Sequence, residues 1–239
     1  MVRLVAMLFI SMIVSGYYFP FKFSFFPVAN TKVVLAVISI LLVVYQGCRK
    51  HGVTISKELM GAVGIVFIFS FICLVAIDQN NTDDYAYVTY FFSFFTWLGG
   101  AYTVCAAIRL CHGKVTLRLL IGYLSFVCVA QCILSQLIDR IPAFKMLVDT
   151  YIVQGQSFFN EINRIGASLD PAGVRFSVVL LLIAYLLCED SVVRQSRKRI
   201  AVYLVSFFLI SILGNMISRT TTVGMVMGLA YIMYSTGFY

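Results

Sequence analysis

Arg219 is the only charge in "ILGNMISRTTTVGMVMG", residues 212–228, and three threonines follow it directly. Upstream, "NEINRIGASLDPAGVRF" at 160–176 carries Arg164 and Arg175 around a second apparent helix start, marked by Asp170 and Pro171. A carboxylate can cap free amides and proline is tolerated in the first turn, while threonine hydroxyls at 220–222 can serve the same capping role. A helix N-terminus carries about half a positive charge, and a guanidinium presents a planar fork of donors that matches phosphate oxygens. Arginines beside two such ends therefore form a candidate diphosphate site made of Arg164, Arg175 and Arg219. Each charge-assisted bond contributes about 1.5–3 kcal/mol, so two or three of them reach micromolar affinity before entropic losses. The competing reading for Arg219 is an arginine that snorkels to lipid headgroups from the end of a span.

Other chemistry is sparse. Glu161 and Asp170 flank Arg164 and are the acids nearest to it for a general base. Asp170, however, already has capping work, and Glu161 suits pairing with an arginine or water. No histidine, cysteine and acid spacing matches a zinc site, and no glycine-rich phosphate loop occurs, so neither metal nor cofactor is expected. Cys128 and Cys132 share a helix face without a nearby histidine or acid, which fits small packing residues. The seven cysteines form no disulfide framework.

These arginines sit in an apolar chain. Of 239 residues 61% are apolar and 12% charged, with a mean hydropathy of +0.95, far from soluble averages. Crossing a hydrocarbon core takes roughly 20 apolar residues in a helix whose backbone satisfies itself. Eight runs qualify or nearly so: 4–19, 33–48, 59–77, 85–108, 119–138, 171–188, 200–217 and 220–239. The expected fold is all-α, a polytopic transmembrane bundle in one membrane domain, with the first apolar run kept as a helix rather than cleaved as a signal peptide.

Lysine and arginine placement gives the orientation. With the N-terminus inside, 11 of the 18 basic residues fall on inner segments and 7 on outer ones, while only 3 of the 10 acids are inner. The inner face then carries +8 and the outer face 0, as the positive-inside rule requires. The net charge thus calls for no nucleic acid partner. "RQSRKR" at 194–199 reads chiefly as a topology mark, with an anionic-lipid site as the lesser alternative. His51 and His112 lie on the inner side in this arrangement, away from the arginines. Lys22 and Lys32 read as interfacial anchors, and "DQNNTDD" at 78–84 as a solvated turn.

The long outer loop is 139–170. Within it Phe144, Leu147, Val148, Tyr151 and Ile152 follow the stripe of an amphipathic helix, either lying along the outer membrane boundary or capping the bundle. Gly99, Gly100 and Ala101, with Gly61 and Gly64, are expected to allow close helix approach. The aromatics of "TYFFSFFTW" at 89–97 read as packing surface.

Two stretches resemble the O-antigen polymerase and O-antigen ligase superfamily of multi-span glycosyltransferases. "RIGASLDPAGVRFSVVLLL" at 164–182 is similar to the family's Arg-x-x-Gly, proline and apolar span; "SRTTTVGMVMGL" at 218–229 is similar to its Ser-Arg-Thr opening of a later span. Their order and separation also agree, over about the last third of the chain. The resemblance implies an enzyme of the bacterial cytoplasmic membrane that transfers saccharide from undecaprenyl diphosphate to a sugar hydroxyl at the outer face. It would work among membrane lipids and other polysaccharide-assembly proteins. It also implies that Arg164 and Arg219 hold the diphosphate leaving group; Arg175 is added on helix geometry alone. Family members continue into a large outer loop that brings a histidine or acid to the acceptor, whereas this chain ends at "YSTGFY". The expectation is an N-terminal portion of a longer protein or a truncated product, with its catalytic loop missing.

Polymerisation is preferred over ligation, although the sequence does not separate them. A saccharide or lipid transporter or flippase, and a non-enzymatic membrane remnant, stand as readings of other classes. No ionisable residue falls at mid-membrane depth in these spans, which disfavours ion coupling. The orientation is directly testable. Alkaline phosphatase fused within 78–84 should be active and a fusion within 194–199 inactive; the reverse pattern would invert the topology.

Overall fold

The computed structural model describes residues 2–50, 55–83, 85, 87–153 and 169–237. In chain order these form α1 (Val2–Tyr18), β1 (Lys22–Phe23), β2 (Phe26–Asn30), α2 (Thr31–Lys50), α3 (Lys57–Asn80), α4 (Tyr90–His112), α5 (Leu117–Arg140), α6 (Pro142–Tyr151), β3 (Ile152–Val153), α7 (Leu169–Glu189), α8 (Ser191–Arg194), α9 (Arg197–Ile217) and α10 (Thr221–Thr236). Six of these helices, α2, α3, α4, α5, α7 and α9, are long and apolar enough to cross a membrane. The first and last expected spans are shorter. At 17 and 16 residues α1 and α10 extend about 24–26 Å at 1.5 Å per residue, against a core of about 30 Å.

The distribution of polarity is that of a multi-pass membrane protein. On α3, Ile65, Phe67, Ile68, Phe71 and Ile72 are all exposed, and the buried residues are Ser70 and Ile77. A helix that is apolar all round and uncovered by protein needs lipid as its surroundings. Small hydroxyls such as Ser39, Ser135, Ser211 and Thr221 lie inside instead.

The chain divides into two compact units, Met1–Thr31 with Ala107–Tyr239, and Lys32–Ala106. In the second unit, Gly99 does admit a close neighbour: a Cβ there would stand 3.1 Å from the Ala36 backbone. Thr103 Oγ1 donates to Leu35 O at 2.8 Å, and Lys32 Nζ lies 4.2 Å above the Trp97 ring. Gly61 and Gly64, expected to act likewise, have no neighbour within 4 Å of a built Cβ.

The first unit is centred on α7. Phe176, Val179, Leu180, Ile183 and Ala184 are buried completely there, between α5, α9 and α10. Helices α7 and α10 run parallel in close contact, with Gly173 opposite Ser218 and Thr220, Gly224 against Ser177, and Gly228 placed so that a Cβ there would stand 3.6 Å from Leu180 O. "GMVMG" at 224–228 is a small-xxx-small pattern of the kind that lets backbones meet in membranes.

A small sheet lies outside the helical expectation. β1 pairs antiparallel with β2 on one side and with β3 on the other, matching Lys22 to Asn30 and to Val153. Ser24 N–H donates to Tyr151 O at 2.9 Å, which ties the α1–α2 connection to the end of α6. Strands of two residues carry too little alternation to be seen in sequence. Helix α6 itself realises half of its expected stripe. Val148 is buried against Ile138, with Phe144, Ile152 and Leu134 around them, whereas Leu147 and Tyr151 remain exposed. It therefore packs back on α5.

A methyl group at 224 has no room against the Ser177 backbone. Gly224→Ala is expected to cost about 1–3 kcal/mol as overpacking, and Gly224→Leu more. Gly64→Ala, in open space, should be neutral or slightly stabilising through helix propensity. Thermal unfolding of the detergent-purified variants gives the comparison.

Candidate functional site

Arg219 is exposed in the turn between α9 and α10. The turn is held from below. Thr221, fully buried, donates from Oγ1 to Gly214 O at 3.1 Å, and Thr222 Oγ1 donates to Asn215 Oδ1 at 2.7 Å. These hydroxyls reach back along α9 rather than capping amides, and Thr220 makes no side-chain cap. The amides of Thr221, Thr222 and Val223 donate instead to the carbonyls of Ser218, Arg219 and Thr220, at 3.0–3.1 Å. The first turn of α10 thus spends its donors internally, so an anion here would meet guanidinium groups and the helix dipole rather than bare N–H groups.

Arg175 lies on α7, partly buried. Its guanidinium carbon stands 5.8 Å from the Phe19 ring centre, and Tyr18 Oη donates to its carbonyl at 2.9 Å. Phe19 packs in turn on Phe176, with ring centres 5.5 Å apart. A cation over an aromatic face contributes about 0.5–1 kcal/mol and more where water is excluded. In the sequence this aromatic support is marked by "YYF" at 17–19, which closes the first apolar run.

The two helix starts stand side by side. Gly173 of α7 would place a Cβ 2.7 Å from Thr220 Cβ, and Ser177 Oγ donates to Thr220 O at 2.9 Å. Arg175 and the turn bearing Arg219 are therefore brought to the same end of the first unit. Arg164, Glu161 and Gly166 lie outside the described residues, as do the side chains of Asp170 and Pro171. The α7 helix begins at Leu169, so Asp170 and Pro171 stand within its first turn, one or two residues inside the expected start. A cavity opens at the other end of this unit, between the beginnings of α1, α5 and α9.

No group of three or more metal-ligating side chains occurs among the described residues. Cys128 and Cys132 are buried free thiols on α5, as packing residues would be. No protein-family model matches the sequence, and no curated protein and no solved structure is significantly similar to it.

The hydroxyl that anchors the Arg219 turn has a measurable weight. Gly214 O also accepts from Ser218 N at 2.8 Å, so Thr221→Val leaves that carbonyl paired and should cost only about 0.5–1.5 kcal/mol. Thr222→Val, at a more exposed bond, should cost less. Urea or thermal unfolding of both variants ranks them.

Proposed function

We propose that this protein belongs to the assembly of cell-surface polysaccharide, as a glycosyltransferase of the bacterial cytoplasmic membrane with its N-terminus inside. In this reading it polymerises saccharide units carried on undecaprenyl diphosphate at the outer face. The observation that carries the reading is the contact of Gly173 with Ser218 and Thr220, which sets two parallel helix starts and their arginines, Arg175 and Arg219, at one end of one unit. Two helix dipoles aligned side by side make a positive region, and guanidinium groups add to it. Such a region stabilises the charge that collects on a diphosphate as its bond to the anomeric carbon breaks. The acceptor hydroxyl oxygen forms the new bond to that carbon. Its proton passes to a base, and the diphosphate leaves with the bonding pair.

The chain's own part in this chemistry is electrostatic. Arg219, exposed, meets the diphosphate directly; Arg175, with its guanidinium over Phe19, is held in place for the same group; Arg164, outside the described residues, is the third arginine of this reading. Arginine suits the role better than lysine because its fork binds two phosphate oxygens at once. The resemblance of "SRTTTVGMVMGL" to the transferase family supports the same assignment. Acceptor identity separates polymerisation from ligation.

The test is complementation of a polymerase-deficient strain with full-length protein carrying Arg219→Lys, Arg219→Ala, Arg175→Ala or Arg164→Ala. Loss of one charge-assisted contact should lower turnover about 10–100-fold, shortening or abolishing the polysaccharide ladder, with Arg219→Lys intermediate. An unchanged ladder at normal protein levels in all four would remove the diphosphate role.

A further inference from the structure

The cavity at the opposite end of the first unit has a different chemistry. It measures about 960 Å³ and runs between α1, α5 and α9, at the upper end of the ~300–1,000 Å³ typical of ligand sites. Its walls are apolar, with Leu8 on α1, Phe126 on α5 and Val202 on α9. Its rim is cationic. Lys114, Arg118, Lys198 and Arg199 all line it, together with His112, whose Nε2 stands 2.8 Å from Tyr123 Oη.

Asp190, the acid paired with Arg118 at this rim, is already engaged. Asp190 Oδ2 lies 3.2 Å from Arg118 Nε, and its Oδ1 accepts from the amides of Val192 and Val193 at the start of α8. Four cations against one acid leave a surplus of three positive charges. The ion pair is also imperfect, for the buried Arg118 Nε makes no aligned hydrogen bond. A second and independent feature lies in the cavity wall. Ser125 lines the cavity, is only 3% exposed, and its Oγ has no hydrogen-bond partner. Buried hydroxyls are normally paired, because leaving one unmade costs free energy.

We propose that this cavity is a binding site for a single anionic glycerophospholipid, its phosphate held by Lys114, Lys198 and Arg199 and its acyl chains lying along Leu8, Phe126 and Val202. The occupant must be both anionic and apolar. A free phosphate satisfies the rim but leaves the walls uncovered, whereas a zwitterionic lipid covers the walls but brings no net charge to the rim. The site is a defined pocket rather than diffuse attraction to a basic segment, because Arg194 and Arg197 of that same segment do not line it. It is independent of the transferase reading, since it uses none of the arginines at the α7 and α10 starts.

Native mass spectrometry of the full chain, released from nanodiscs of mixed phosphatidylglycerol and phosphatidylcholine, reads the outcome. One phosphatidylglycerol should be retained in preference to phosphatidylcholine, and inorganic phosphate or glycerol phosphate should not displace it. Lys198→Gln with Arg199→Gln should cut retention about tenfold or more, whereas Arg194→Gln with Arg197→Gln should leave it near wild type. Ser125→Leu should block it without removing charge. Equal retention of the two lipids, displacement by free phosphate, or equal losses from the two charge pairs would each overturn the proposal. Unfolding temperatures of the exposed Lys198→Gln and Lys114→Gln single variants, with retention measured on the same samples, separate lost binding from lost fold.

Discussion

The approach of α7 to α10 through glycine is the constraint on which the first unit depends. Between helices in lipid there is little hydrophobic drive, since acyl chains solvate leucine as well as another helix does. Association rests on backbone contact and interhelical hydrogen bonds. Gly173 and Gly224 supply the first, and the Ser177 bond to Thr220 O supplies the second. The geometry has an electrostatic consequence: parallel neighbours place two positive helix ends together, an arrangement that repels itself unless packing offsets it. An anion at that end relieves the repulsion. The arginines of the α7 and α10 starts share one end of the unit because the glycines bring those starts together.

The same unit keeps its charges apart. Arg175 and Arg219 belong to one end, with an aromatic platform of Tyr18, Phe19 and Phe176 beneath Arg175. Lys114, Arg118, Lys198 and Arg199 belong to the other, beside Asp190. Between them the buried polar groups are uncharged: Ser135, Gln131, Ser211 and Thr221. Thr221 offsets its burial by donating to a backbone carbonyl, whereas the hydroxyls of Ser135 and Ser211 have no hydrogen-bond partner. A charge in that place would have no comparable partner.

Several features were legible before any coordinates. The six long apolar helices match expected spans to within a few residues, because length and hydropathy are properties of single segments. The α6 helix was also visible through its periodicity, although the stripe alone left open whether it faced lipid or protein. Contact with Ile138 and Leu134 decides for protein along the Phe144, Val148 and Ile152 line. Gly61 and Gly64 show the opposite case, for small residues permit close approach without requiring it. The threonines after Arg219 were expected to cap amides, yet they bond backward to α9, since the turn's own carbonyls had already taken those donors.

What the sequence determined alone is the membrane class and the run of long apolar helices, both of which follow from local composition summed over some twenty positions. Tertiary structure decided which helices touch, that α7 and α10 are parallel neighbours, that "YYF" supports Arg175, and that two basic segments rim a cavity with an unpaired serine in its wall. The physical reason is range. Hydropathy acts residue by residue, whereas a glycine contact or a shared electrostatic field exists only between segments that lie far apart along the chain.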